Sequence, residues 1–135
     1  MVSKTRAVRI GERIREELSE ILLLQSQDPR IGGVTVTGVN VDRELAFADV
    51  YVCTIEGIEH SQEVLEGLNH AQGYLRHELA KRVDLRSFPR LRFHWDSTFE
   101  KAEVIERLIS SLHDDEEAKA RGNINSNDEN ANKDG

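Results

Sequence analysis

Cysteine occurs once in the 135 residues, at Cys53, so no intramolecular disulfide can staple the chain and no site built from cysteines alone can hold a metal. Its place in a strand-like run marks it as a small buried hydrophobe rather than a nucleophile. Long apolar runs are absent as well. Nothing approaches the ~20 residues needed to span a bilayer, and the opening MVSKTRAVRIGERI lacks the apolar core of a secretory signal. A cytoplasmic protein without membrane contact is therefore expected. Catalytic signatures are missing too. His60, His70, His77, His94 and His113 are dispersed, and His77-Glu78 is followed by Lys81 where a zinc-protease helix places its second histidine. Gly32-Gly33 precedes a strand and has neither the lysine nor the hydroxyl partner of a phosphate-binding loop. No nucleophile has an evident base, and no metal, cofactor or small-molecule substrate site is readable. The chain does not read as an enzyme; a nuclease is the form an enzyme would take.

What is present is 38% hydrophobic and 32% charged, one domain's worth of chain with a modest core and a wet surface. The net charge of −7 argues against a nucleic-acid partner until its distribution is read. Residues 114–135 hold seven acids against three bases. Residues 1–15 carry five bases against Glu12, and residues 76–92 carry six against Glu78 and Asp84. Two local basic segments on an acidic protein form an electrostatic footprint for phosphate. The alternative is that they are solvated faces of ordinary helices and loops.

Taken in order, Ile10, Ile14, Leu18, Ile21 and Leu22 step by three and four, which predicts an amphipathic helix. Ser3 or Thr5 can cap its start, and Asp28-Pro29 stops whatever helix survives past Gln25. A valine- and threonine-rich strand follows over 34–41, with a bulge at Gly38 where the alternation slips by one residue. A second strand over 47–54 sets Ala48, Val50 and Val52 on one face, and the two form a hairpin. Ser61 can cap the next helix. From Ser61 to Val83 the apolar stripe Val64, Leu68, Ala71, Leu75, Leu79 is interrupted at Gly73. Either two helices meet in a tight kink there, or one long helix tolerates a glycine that costs about 1 kcal/mol. On the first reading Gly73 needs a positive φ or a close backbone neighbour, and Gly73→Val should cost well over that amount. Leu91, Phe93 and Trp95 alternate as a third strand. Ser97 and Glu100 then form a capping box ahead of a helix striped by Ile105, Leu108, Ile109 and Leu112. Residues 1–113 are expected to form the domain. From Asp114 periodicity fails, Ile124 is the only strong apolar residue of 122–135, and residues 114–135 are expected to be a disordered acidic and polar tail.

Helix, strand, strand, helix, helix, strand, helix describes an α+β domain with helices on one face of a three-stranded mixed sheet. The strand-to-strand crossover through two helices makes the second and third strands parallel if they are neighbours. That is the topology of a type II KH domain, α-β-β-α-α-β with a C-terminal helix.

Four stretches then carry a specific resemblance. Asp28-Pro29-Arg30-Ile31-Gly32 precedes the first strand, and Arg43-Glu44-Leu45-Ala46-Phe47-Ala48-Asp49-Val50-Tyr51-Val52 spans the second. Ala71-Gln72-Gly73-Tyr74-Leu75-Arg76 and Pro89-Arg90-Leu91-Arg92-Phe93 come later. Together, across residues 6–112, the chain resembles the bacterial ribosome-binding factor A family. The resemblance implies a KH type II fold in which an Ala-x-Gly kink, here Ala71-Gln72-Gly73, replaces the Gly-x-x-G loop by which other KH domains clamp a nucleic-acid backbone. It further implies a non-enzymatic, cofactor-free assembly factor, expected as a monomer. Such a factor binds the free small ribosomal subunit through rRNA and neighbouring proteins, assists 5′-end processing of its rRNA and supports growth in the cold. The residues expected on the RNA face are Arg6, Arg9 and Arg13 of the first helix, Arg76, Lys81 and Arg82 of the third, and Arg86, Arg90 and Arg92 beyond it. The competing reading is a protein-interaction module with an acidic tail and no direct RNA contact.

Overall fold

A computed structural model describes the backbone of residues 1–24 and 29–134, and the side chains of that set up to residue 121. The chain divides into two units, residues 1–97 and 98–135. In the first, α1 (Lys4–Leu24) is followed by β1 (Thr35–Val41) and β2 (Phe47–Cys53), then α2 (Ser61–His70), α3 (Gln72–Arg82) and β3 (Arg90–Trp95). The second unit is α4, Thr98–Asp134. Gln25 and Asp28, assigned above to the end of the first helix, lie outside the described residues.

Helix α1 starts where Ser3 Oγ accepts the Arg6 amide at 3.1 Å, so of the two candidate caps it is Ser3 that serves. Its stripe Ala7, Ile10, Ile14, Leu18, Ile21 and Leu22 is buried. The spacing leaves room for one more inward residue, Gly11, where a Cβ would lie 2.6 Å from the Val39 carbonyl oxygen of β1. Helix and strand backbones therefore touch at this point, and only glycine permits it.

The sheet order is β1-β2-β3, with β1 antiparallel to β2 and β2 parallel to β3. Pairing slips between Val36 and Gly38, leaving Thr37 as the extra residue of a bulge, as the broken alternation required. Inward residues Val36, Ala48, Val50, Val52, Leu91 and Phe93 meet Ile14, Leu18, Leu68, Leu75 and Leu79 in one core. Leu18, Leu68, Leu75 and Leu79 are fully buried, each contributing about 1.5–3 kcal/mol in transfer terms. Among the described residues no polar or charged residue is buried. Cys53, expected inside, is half-buried, because strand alternation puts it on the face opposite Val52.

Ser61 does not cap α2. A 3-10 turn, Ile58–His60, runs directly into that helix, so the boundary residue is His60, which makes no side-chain cap. The kink between α2 and α3 is present, but its cause is not Gly73. Ala71, at φ −86° and ψ 1°, interrupts the helix, and the Gln72 side-chain amide ties the start of α3 to the Leu91 carbonyl of β3. Gly73 has no positive φ, and a Cβ there would meet nothing within 4 Å. The close approach belongs to Gly67, where a Cβ would lie 2.9 Å from Arg30 Cβ and 2.9 Å from Ile31 Cγ2.

Helix α4 begins directly after Ser97 and carries Ile105, Leu108, Ile109 and Leu112 at 56–64% exposure, while Glu100 Oε2 of the expected capping box is buried and accepts no hydrogen bond. Its backbone stays helical through Asp114, where composition places the start of the tail. The side chains beyond residue 121, Ile124 among them, lie outside the described residues.

The glycines yield a direct test. Gly11→Ala is expected to lose about 1–3 kcal/mol from overpacking against the strand backbone, while Gly73→Ala gains up to about 1 kcal/mol of helix propensity. Urea melts of the two variants read the difference, and equal stabilities would remove the backbone contact at Gly11.

Candidate nucleic-acid interface

Arg6, Arg9 and Arg13 follow at intervals of three and four, so one flank of α1 beside its buried stripe presents all three guanidinium groups. Across from them α3 ends at Arg82, and the chain turns through Val83, Asp84 and Leu85. The two segments enclose a groove of about 430 Å³ lined by Arg6, Arg9, Ile10, Arg13, Arg82, Val83, Asp84 and Leu85. Sequence segments some seventy positions apart thus contribute four arginines to one concavity with an apolar floor. An adjoining hollow shares Arg6 and Leu85 and adds Val2, Glu44, Leu45, Ala46, Arg86 and Ser87, so one further arginine, accompanied by Glu44, lies towards the start of β2.

Glu17 organises this arrangement. Its carboxylate, 14% exposed, lies 3.0 Å from Arg13 Nη2 through Oε1 and 3.4 Å from Arg82 Nη1 through Oε2. Glu20 adds a second, longer pair to Arg82 at 3.7 Å. One carboxylate thereby holds cations from α1 and α3 side by side. Guanidinium forks fixed this way match phosphate oxygens in pairs. Periodicity could have singled out Glu17 as the i+4 partner of Arg13; its link to Arg82 is visible only in the fold.

The remaining expected residues are not gathered there. Arg76 donates through Nη2 to the Phe88 carbonyl at 2.7 Å and through Nε to the Pro89 carbonyl at 3.3 Å, fastening α3 to the loop before β3. Lys81 pairs with Glu78 within α3 at 3.3 Å. Arg90 opens β3 as an exposed residue next to the second hollow, its amide bonded to the Ala46 carbonyl at 2.9 Å. Ala71, Gln72 and Gly73 form the kink between α2 and α3 and line neither groove.

Arg92 lies on the sheet face opposite the core. Its Nε and Nη2 donate to the two Asp49 oxygens at 2.8 and 2.9 Å, and His94 Nε2 lies 2.7 Å from Asp49 Oδ1. The register Asp49↔Arg92 and Tyr51↔His94, set by the parallel pairing, produces the cluster. The bidentate hydrogen bond from Arg92, with His94 adding to it, holds the Asp49 carboxyl below its ordinary value of 3.8 despite partial burial, and Asp49 in turn raises Arg92.

Comparison with known proteins follows the same span. A family model described as ribosome-binding factor A matches residues 6–109. Ribosome-binding factor A of Nitrosomonas europaea is 43% identical over 105 residues, covering 78% of this chain and 90% of the relative. That of Aromatoleum aromaticum is 38% identical over 115 residues, covering 85% and 91%. The crystal structure of ribosome-binding factor A from Thermus thermophilus superimposes with a TM-score of 0.58 at 28% identity, over 65% of this chain and 93% of that one. A Thermus thermophilus homology model fitted into the cryo-EM map of a 30S complex of that factor gives 0.57 at 28% identity, over 67% and 97%.

Because Asp49 titrates lower in the folded chain than unfolded, its stabilisation is fully present above pH 3.8 and is lost as pH falls through the depressed folded value. Asp49→Asn is expected to be less stable than wild type at neutral pH and to converge with it in acid. Circular dichroism melts across an acid titration measure this; two parallel curves would mean that the cluster contributes nothing to stability.

Proposed function

The chain belongs to the ribosome-binding factor A family, and from that premise we propose that it binds the free small ribosomal subunit through the arginine groove between α1 and the end of α3. The observation that carries this reading is the convergence of Arg6, Arg9, Arg13 and Arg82 on one concavity, continued by Arg86. Four permanently charged forks around an apolar floor suit an RNA backbone, and Glu17 keeps two of them oriented before RNA arrives. The 30S complex of the Thermus thermophilus factor supports the choice of partner. Arg90 borders this face. Arg76, Lys81 and Arg92 contribute to it indirectly, through the loop, helix and sheet they hold.

In this reading the protein is a monomeric cytoplasmic assembly factor that assists late maturation and 5′-end processing of small-subunit rRNA and matters most in the cold. It acts by binding, without a reaction of its own: the carboxylates of Glu17 and Glu20 beside the groove serve as ion-pair partners of Arg13 and Arg82. Residues 1–113 carry the binding activity and residues 114–135 are an appendage to it. The exposed apolar stripe of α4 favours one competing reading, docking on another protein without RNA.

Salt separates the two. Phosphate neutralisation makes log affinity fall with log salt in proportion to the contacts made, and each contact removed flattens that slope by about 0.7–0.9. Co-sedimentation with purified small subunits across a salt series is expected to show weaker binding and a flatter slope for the Arg6, Arg9 and Arg13 triple alanine variant. Glu16→Lys, on the same helix, should bind as wild type does. Undiminished binding by a folded triple variant would sink the groove as the interface. Truncation after residue 113 should shift the melting temperature by no more than a few degrees and leave subunit binding intact; a loss of cooperativity would assign the removed residues to the fold.

A further inference from the structure

On the sheet face opposite α1–α3, planar side chains sit in a row, and the edges of two of them, Arg92 and His94, are bonded to Asp49. Tyr51 and His94 stack with ring centroids 5.2 Å apart and planes inclined by 29°. The Arg92 guanidinium lies 4.0 Å from the centroid of the Phe47 ring. Asp49 stands between the two pairs, bonded to Arg92 and to His94. Arg92 remains 50% exposed and His94 43%, so these flat groups are held in place yet open to solvent.

We propose that this face is a stacking platform for unpaired RNA bases, entered from the arginine groove at Phe47 and Arg90. The charge pattern favours a base over a phosphate. Asp49 cancels Arg92 through a bidentate pair, so this part of the face offers flat polarisable surface and fixed hydrogen-bond edges rather than a net positive site. Bases splayed out of single strands bind such surfaces by stacking on aromatic rings and guanidinium planes. Phosphates find their charge next door. Ala46 and Arg86 line the hollow that continues the groove, Phe47 follows Ala46 directly, and Arg90 is the register partner of Phe47. A strand whose backbone lies along the arginines therefore reaches the platform within one sheet end. The inference rests on the RNA-binding reading above and extends it: the groove holds backbone, the sheet holds bases, and the preferred RNA is single-stranded where it crosses the sheet.

The test is an NMR titration of the full chain with three probes, a single-stranded oligoadenylate, a blunt-ended RNA duplex and inorganic phosphate. It follows the ring signals of Tyr51 and His94 beside the backbone amides of Arg6 and Arg9. The platform requires that oligoadenylate move the ring signals while phosphate and duplex leave them in place. Tyr51→Leu, which keeps bulk but not the ring, should weaken oligoadenylate binding roughly ten-fold, the size of one lost stack, and Tyr51→Phe should restore it. Equal ring shifts with duplex or phosphate would overturn the proposal in favour of charge alone. Shifts confined to Arg6 and Arg9 would overturn it while sparing the groove, and silence at both places would sink the groove reading as well. Ring shifts that grow with protein concentration before any RNA is added would hand the face to a second copy of the chain.

Discussion

The contact between the α1 backbone and the Val39 carbonyl at Gly11 sets the distance from which everything else follows. With any side chain at this position the helix would ride outward by the depth of a methyl group, and Ile10, Ile14 and Leu18 would withdraw from the sheet they now cover. Seated this low, α1 lies alongside α3 closely enough for a single glutamate, Glu17, to reach arginines on both. A pair this exposed on its arginine side adds little stability by itself. Its role is geometric: the core fixes two helices, and Glu17 converts their proximity into a fixed spacing between guanidinium groups.

That geometry divides the basic residues into two kinds. Arg76 spends its donors on the carbonyls of Phe88 and Pro89, which would otherwise need other partners in the loop feeding β3. Arg92 is locked to Asp49 across adjacent parallel strands. Both lie in a segment that is strongly basic along the chain, yet their donors are committed to partners within the fold. Arg6, Arg9 and Arg13 keep their exposure because α1 presents them beside its buried stripe, where a long side chain can rest its stem on apolar neighbours and hold its head in water, whereas Arg82 is 29% exposed and shared between Glu17 and Glu20. A count of charge along the sequence therefore does not distinguish the arginines committed to the fold in 76–92 from those that α1 leaves exposed in 1–15.

The order of elements, the bulge at Gly38, the hairpin and the parallel third strand were legible because each leaves a local mark: a period, a slipped alternation, a crossover of helical length. The errors over glycine share one cause, contact between residues distant in sequence. Gly73 interrupts a helical stripe and draws attention, yet nothing approaches it. Gly11 and Gly67 sit quietly within helical patterns, and both are required by elements met elsewhere in the chain. Cys53 was misplaced by its chemistry, since the alternation of β2 already assigned it to the face away from Val52. For the candidate site, helical spacing indicated Arg6, Arg9 and Arg13, but it could not say that Arg82 would face them or that Asp49 would meet Arg92. That pairing depends on a parallel register which no short motif encodes.

An overall charge of −7 around a focused basic groove has its own consequence for recognition. At distances beyond about one Debye length, roughly 8 Å in physiological salt, RNA meets the field of the whole acidic molecule and is weakly repelled. Within the proposed groove it would meet four arginines at short range, two of them held by Glu17, on an apolar floor where screening is weakest. Repulsion that acts everywhere and attraction that acts in one shape together disfavour arbitrary RNA, which contacts the surface at random, more than RNA already held in a complementary form. Salt weakens both fields, but it removes the long-range repulsion first. The measured salt slope should then be shallower than the number of arginines in the groove would give if the rest of the molecule were neutral.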